Sequence, residues 1–314
     1  MTSASTLPVA IERLPDPIRR IAGLMRAMSL EATRLIEADI AALTSAVPVG
    51  TSVYLTAVPT RSPADEVAAA KQLRDAGLEP VPHLAARSFT DFESLDDFLA
   101  RMAGEAGVER VLVIAGDHER PAGPFANAIE VIERGLLPRR GIREIGLAGY
   151  PDGHPRLSTL DLDRALFAKI EAAQQIGLAV HIVTQFCFDA QPILAWLARL
   201  RDLGIDHPVR IGLAGPTSLA ALLRYAKRCG VRASAQGLAR RAGLVKQVFS
   251  INAPDRMVRA VADARERADF GDIALHFFTF GGTAATARWA AAVAAGRLTI
   301  EADGFSVAPP QQSG

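Results

Sequence analysis

Two short strand-like runs, Ile142–Ala148 and Leu178–Thr184, flank a stretch from Asp161 to Gly177 that reads as a helix. Leu162, Ala165, Leu166 and Ile170 share one face of that helix. Each run breaks into polar residues at its C-terminal end. Gly149-Tyr150-Pro151-Asp152-Gly153-His154-Pro155 follows the first, and Gln185-Phe186-Cys187-Phe188-Asp189 the second. Strand, helix, strand with chemistry at the strand ends is the unit of a parallel α/β protein. If such a sheet closes into a barrel, the strand ends build its site.

The same alternation runs through the chain. Strands are expected at Met28–Glu31, Thr51–Val58, Leu78–Leu84, Val108–Ile114, Val209–Leu213 and Ile273–Phe280, besides the two above. Helices are expected at Pro17–Arg26, Leu35–Ala46, Phe92–Ala106, Phe125–Gly135, Ile193–Leu203, Leu219–Cys229 and Thr283–Ala295. A further helix starts at Ser62-Pro63, a serine cap followed by proline in the first turn. A largely helical insertion, Ala233–Asp269, precedes the last strand. About eight strand-then-helix units predict a single (β/α)8 TIM barrel over residues 27–300, after an N-terminal arm and short helix (1–26) and before a flexible tail (301–314). An open doubly wound sheet is the alternative.

Composition narrows the function. With 35 basic against 34 acidic residues, the chain carries no global field to attract nucleic acid or an acidic membrane. Two cysteines, Cys187 and Cys229, make neither a disulfide framework nor a metal signature. No apolar run is long enough to span a bilayer, and the first residues lack a secretory pattern, so a cytoplasmic location is expected. No Gly-x-Gly-x-x-Gly or Walker loop occurs.

Candidates for chemistry stand at the strand ends. Glu31 closes a mostly apolar run; burial there would raise its pKa and keep it protonated as a general acid. The alternative is a surface loop residue. Asp117 follows Gly116 after strand four and can accept hydrogen bonds from ring N–H groups, or simply close an Asx turn. His154, in a proline-stiffened loop with Tyr150, offers a donor to phosphate or ribose, or is structural. Gln185 suits a pterin or a nicotinamide carboxamide, or bonds to a neighbouring loop. His83 and His276 read as satisfied core histidines, His276 above all.

In order, Ser29-Leu30-Glu31, Pro82-His83-Leu84, Gly116-Asp117, Ala148-Gly149-Tyr150-Pro151, His154-Pro155, Thr184-Gln185-Phe186 and Leu275-His276-Phe277 resemble the flavin-dependent methylenetetrahydrofolate reductases. The resemblance runs from about Ser29 to Trp289. It implies a (β/α)8 barrel that binds FAD and reduces 5,10-methylenetetrahydrofolate to 5-methyltetrahydrofolate with NADH or NADPH, within one-carbon metabolism and methionine biosynthesis. A homo-oligomer is expected, with a reduced folate as substrate and no nucleic-acid or membrane partner. By position, Glu31 resembles the acid that opens the methylene bridge, and Asp117 the carboxylate beside flavin and pterin. Gln185 resembles the amide that contacts folate and nicotinamide, and Tyr225 the ring on which they stack. Thr56, His83, Gly116, Phe125, Ala126, Ala148, Tyr150 and His154 fall where the family contacts FAD, with Lys169 near the phosphate-binding positions.

The chain departs from the family pattern in places. Ala32-Thr33-Arg34 replaces aromatic residues and paired prolines. Ala115 replaces an arginine, Ala172 and Ala173 an Arg/Lys pair facing the FAD diphosphate, Gly281-Gly282 an Asn-Arg pair, and Ala221 a glutamine. Arg34, Arg61 and Arg87 are the candidates to compensate. Two further readings stay open: a flavin-free reductase with direct hydride transfer, and a non-catalytic folate- or nucleotide-binding protein linked to one-carbon or demethylation metabolism.

Overall fold

Eight parallel strands hydrogen-bond in a closed ring, each neighbour in sequence also a neighbour in space. They are β1 (Ser29–Ala32), β2 (Ser52–Leu55), β3 (Glu79–Ala85), β4 (Arg110–Ile114), β5 (Glu144–Gly149), β6 (Ala179–Thr184), β7 (Val209–Ala214) and β8 (Ile273–Phe278). The ring shuts where β8 pairs with β1, through Ser29↔His276, Leu30↔Phe277 and Glu31↔Phe278. The computed structural model describes residues 14–218, 222 and 251–308. The expected helix at Leu219–Cys229 apart from residue 222, with Tyr225 in it, and residues 233–250 of the expected insertion lie outside the described residues.

Helices alternate with the strands: α1 (Asp16–Leu24), α2 (Glu37–Ala46), α3 (Pro63–Asp75), α4 (Phe92–Ala106), α5 (Ala128–Glu133), α6 (Leu136–Arg139), α7 (Thr159–Gln175), α8 (Ala190–Asp202), α9 (Asp255–Arg265) and α10 (Thr283–Ala294). Their starts are written in the sequence. Ser62 accepts from the Asp65 N–H at 3.2 Å with Pro63 in the first turn. Ser158 and Asp161 form a reciprocal capping box, which starts α7 two residues before the first apolar-periodic turn. Between helices and sheet lies one continuous apolar core, to which Leu30, Val53, Leu84, Val111, Leu147, Ile182, Ile211 and Leu275 contribute from the strands.

Two boundaries differ from expectation. β8 stops at Phe278, because Phe280 (φ 50°) and Gly281 (φ 86°) turn the chain out of the sheet. The expected flexible tail begins inside an ordered hairpin: Leu298–Ile300 pairs antiparallel with Phe305–Val307. Phe305 is buried and stacks on Trp289 of α10, ring centroids 6.0 Å apart. Burying one aromatic pair and tying the turn to Arg259 anchors what composition alone reads as loose. No described helix is long and apolar enough to cross a membrane.

Candidate active site

Parallel strands in a closed ring put all their C-terminal ends on one face. Glu31, Thr56, His83, Asp117, Tyr150 and Gln185, drawn from β1 to β6 in turn, therefore share one rim. Glu31 is its centre. Thr56 Oγ1 donates to Glu31 Oε1 at 3.1 Å. His83 Nε2 and His276 Nε2 stand 3.3 and 3.5 Å from the other oxygen, Oε2. Neither imidazole nitrogen has another hydrogen-bond partner among the described residues. The opposite edge of His276 is held by Ser29 Oγ, 2.9 Å from Nδ1.

The electrostatics correct one expectation. Burial does push the Glu31 carboxyl up. The charge of His83 and hydrogen bonds from His276 and His83 outweigh it, and its pKa lies well below the usual carboxylate range. Glu31 is therefore ionised at rest rather than held protonated. Burial lowers the pKa of His276, against the raising effect of Glu31. His276 is the buried, bonded core histidine of the sequence reading, and it also faces the carboxylate.

Around the rim the other candidates fall into place singly. Asp117 is exposed just past β4. Gly116 before it takes φ +90°, and a Cβ there would lie 3.0 Å from Ala85 Cβ, so the chain turns where only glycine sits comfortably. Tyr150 and His154 meet edge to face at 5.4 Å. His154 Nδ1 accepts from the Arg156 N–H at 3.2 Å. Gln185 donates through Nε2 to the Gly153 carbonyl at 3.1 Å, the loop-bonding alternative, which ties the β6 end to the β5 loop. Phe125 is buried against Phe92, so its side chain belongs to the core and only its backbone can face a ligand. Ala126 is occupied at both ends, its N–H donating to Glu130 and its carbonyl accepting from Arg87. Ala148 and Tyr150 line a cavity of about 250 Å³ between α7 and α8, walled by Trp196 and the Arg199–Asp163 ion pair.

A flavin finds two kinds of reception here. Thr56, His83, the Gly116 turn, Tyr150 and His154 present polar atoms and close backbone approach suited to a ring system. On the diphosphate side, Arg61 donates to the Thr33 carbonyl and Arg87 to those of His118 and Ala126. Ala172 and Ala173 are buried within α7. Lys169 is half-buried, and burial pulls its pKa down to about 8. It stands ten residues into α7, roughly 15 Å along the helix. These residues fit the group, with few cations to hold its phosphates.

Other polar residues of the barrel interior escaped the sequence reading. Tyr54 on β2 and His181 on β6 are buried inside the ring, and Glu144 stands at the start of β5. Glu66 of α3 is a partly buried carboxyl that burial pushes up to about 6 despite Arg61 and His83 nearby. The available signal was a lone polar residue inside an apolar strand, as His181 is in Ala179-Val180-His181-Ile182-Val183.

The family model described as methylenetetrahydrofolate reductase matches residues 29–267. Over 161 residues the chain is 31% identical to methylenetetrahydrofolate reductase 2 of Saccharomyces cerevisiae, covering 48% of this chain and 26% of the yeast protein. It is 27% identical over 147 residues to methylenetetrahydrofolate reductase 1 of Schizosaccharomyces pombe (45% and 23%). A Caenorhabditis elegans protein named probable methylenetetrahydrofolate reductase (NADPH) is 28% identical over 167 residues (51% and 24%). The chain thus spans about a quarter of the length of the curated relatives it matches.

Proposed function

The chain belongs to the methylenetetrahydrofolate reductase family, and from that premise we propose that it reduces 5,10-methylenetetrahydrofolate to 5-methyltetrahydrofolate with NADH or NADPH. The observation that carries this reading is the convergence of Thr56, His83 and His276 on the two oxygens of one rim carboxylate, Glu31. Opening the methylene bridge needs a proton delivered to a folate nitrogen, and a carboxylate within 3.5 Å of two imidazoles keeps a transferable proton close. Glu31 is ionised at rest, so it must take up a proton from solvent as substrate covers the rim, the two imidazoles holding its oxygens in place. Only 12% of the Glu31 side chain is exposed, and a pterin lying over it would remove that remainder and favour the neutral acid.

Asp117 supplies the carboxylate for pterin N–H groups, and the Gln185 amide the contact shared by folate and nicotinamide. Tyr225, the proposed stacking ring, lies outside the described residues. FAD would be held by Thr56, His83, Gly116, Ala148, Tyr150 and His154, by the backbone at Phe125, and by Lys169, with Ala126, its backbone already bonded, offering only contact. When bound it would carry hydride from NAD(P)H to the folate. The name of the Caenorhabditis elegans relative specifies NADPH; either nicotinamide is compatible with the residues above.

A second reading, direct hydride transfer without flavin, is favoured by Ala172 and Ala173, buried where the family pattern places an Arg/Lys pair. The experiment is a visible spectrum of the purified protein followed by methylenetetrahydrofolate-dependent oxidation of NAD(P)H, with and without added FAD. Turnover that requires FAD supports the first reading, and turnover indifferent to it the second. No turnover under any condition overturns both.

A further inference from the structure

The interior of the barrel below Glu31 carries a column of polar side chains that the proposed reaction does not use. The Tyr54 hydroxyl lies 2.7 Å from His181 Nε2. His181 Nδ1 approaches Glu144 Oε1 to 2.6 Å. Arg110 Nε donates to Glu144 Oε2 at 2.7 Å, and Arg110 Nη1 to Ser52 Oγ at 3.2 Å. Arg110 and Glu144 begin their strands, so the column starts at the N-terminal mouth and ends at Tyr54, beneath the catalytic rim. Gly146 of β5 leaves room for it: a Cβ there would lie 2.8 Å from His181 Nε2.

Such a column is costly. The same space is shared with Val81, Leu112 and Val183, and an apolar filling would serve stability as well or better. Its upper end touches both imidazoles of the rim. The Tyr54 ring meets His276 edge to face at 4.7 Å and His83 at 6.4 Å. The hydrogen-bonded run stops at the Tyr54 hydroxyl, and from there upward contact is ring against ring. Proton conduction along the column is therefore not what the geometry offers. It offers fixed placement.

We infer that Tyr54 is a positioning residue: tethered through His181 and Glu144 to Arg110, its ring holds His276 and His83 against Glu31. The inference rests on the reading of Glu31 as the acid site. It assigns the chain's own barrel core the task of placing the two imidazoles that act on that carboxylate before any ligand binds. The charged and titratable groups facing this unit are Arg110, Arg210 and Glu144 from below and Glu31 from above. Ser29 fixes the far edge of His276.

The test uses the full chain, without cofactor, and the conservative variants Tyr54→Phe and His181→Asn. Imidazole nitrogen resonances of His83 and His276 are followed by NMR between pH 5 and 9, and thermal unfolding is recorded in parallel. The expected result is a shift of at least half a pH unit in the midpoint of the His276 titration, in the same direction in both variants. The double variant should shift no further than either single one, because the tether is one unit. A titration that stays put in both variants, whatever happens to the melting temperature, overturns the inference. Should His181→Asn fail to fold, Tyr54→Phe combined with His181→Leu keeps the core dry and packed, and the same titration decides. Methylenetetrahydrofolate turnover in Tyr54→Phe should fall about tenfold with KM for NAD(P)H unchanged. If the wild type shows no turnover at all, the proposed function fails while the imidazole titration still decides the role of Tyr54.

Discussion

His83 Nε2 lies 3.3 Å from Glu31 Oε2, although β3 and β1 are not neighbours in the ring. Inward side chains of alternate barrel strands meet across the axis, and this packing brings together two groups 52 residues apart. The carboxylate so paired is ionised at rest, which shapes the first expectation.

Glu31→Gln keeps size and hydrogen bonding and cannot carry a proton. Methylenetetrahydrofolate-dependent oxidation of NAD(P)H should fall 10²–10⁴-fold, the usual worth of a positioned acid. Oxidation of NAD(P)H by an artificial quinone acceptor should hold within about twofold, since it needs no proton at the folate. Equal loss in both assays would make Glu31 structural. Retention of both would move the acid elsewhere, with Glu66 the next carboxyl to replace.

Gly116→Ala forces a side chain onto a φ of +90° and against Ala85. The expected cost is about 1–2 kcal/mol of stability, seen as a melting temperature lower by a few degrees. An unchanged melting temperature would mean that the β4 end relaxes without strain.

Ala115→Arg restores a cation at the end of β4. A charge-assisted contact to a phosphate is worth about 1.5–3 kcal/mol, so affinity for FAD should rise by at least about tenfold in fluorescence titration. Nanomolar binding by the wild type, with no gain in the variant, would show that the existing residues already satisfy the phosphates.

Stability against acid should report the buried carboxylates. Burial pushes the Glu144 carboxyl up, but the hydrogen bond and charge of His181, then Arg110, outweigh it and bring its pKa down to about 2. A folded-state value below the ordinary 4.5 means the unfolded chain binds the proton more readily between the two. The contribution is therefore complete above pH 4.5 and is lost as pH falls towards about 2. At roughly 2–3 kcal/mol it is large enough to see in the melting temperature recorded from pH 6 to 3. Glu144→Gln should flatten that slope. An unaltered slope would place the acid sensitivity in other groups, Glu31 first.

Much of the barrel was legible from the chain alone. Strand and helix periods, Ser62-Pro63 and the Ser158–Asp161 box are local signals, and local signals fix elements and their order. A parallel ring sends every C-terminal end to one face, so Glu31, Asp117, Tyr150 and Gln185 could be placed by position along the strands, whereas Thr56 came in only through the family resemblance and His83 read as a core histidine. What the tertiary structure alone decided is which side chains meet inside the ring. Nothing within a few residues of Tyr54 announces His181, and nothing near Glu31 announces two imidazoles on one oxygen; the reading of Glu31 as a resting neutral acid failed on that point. An apolar strand around Glu31 signals that it will be buried, whereas the charges that reverse the effect of burial come from β3 and β8, strands that only closure of the barrel carries to within 3.5 Å of the carboxylate.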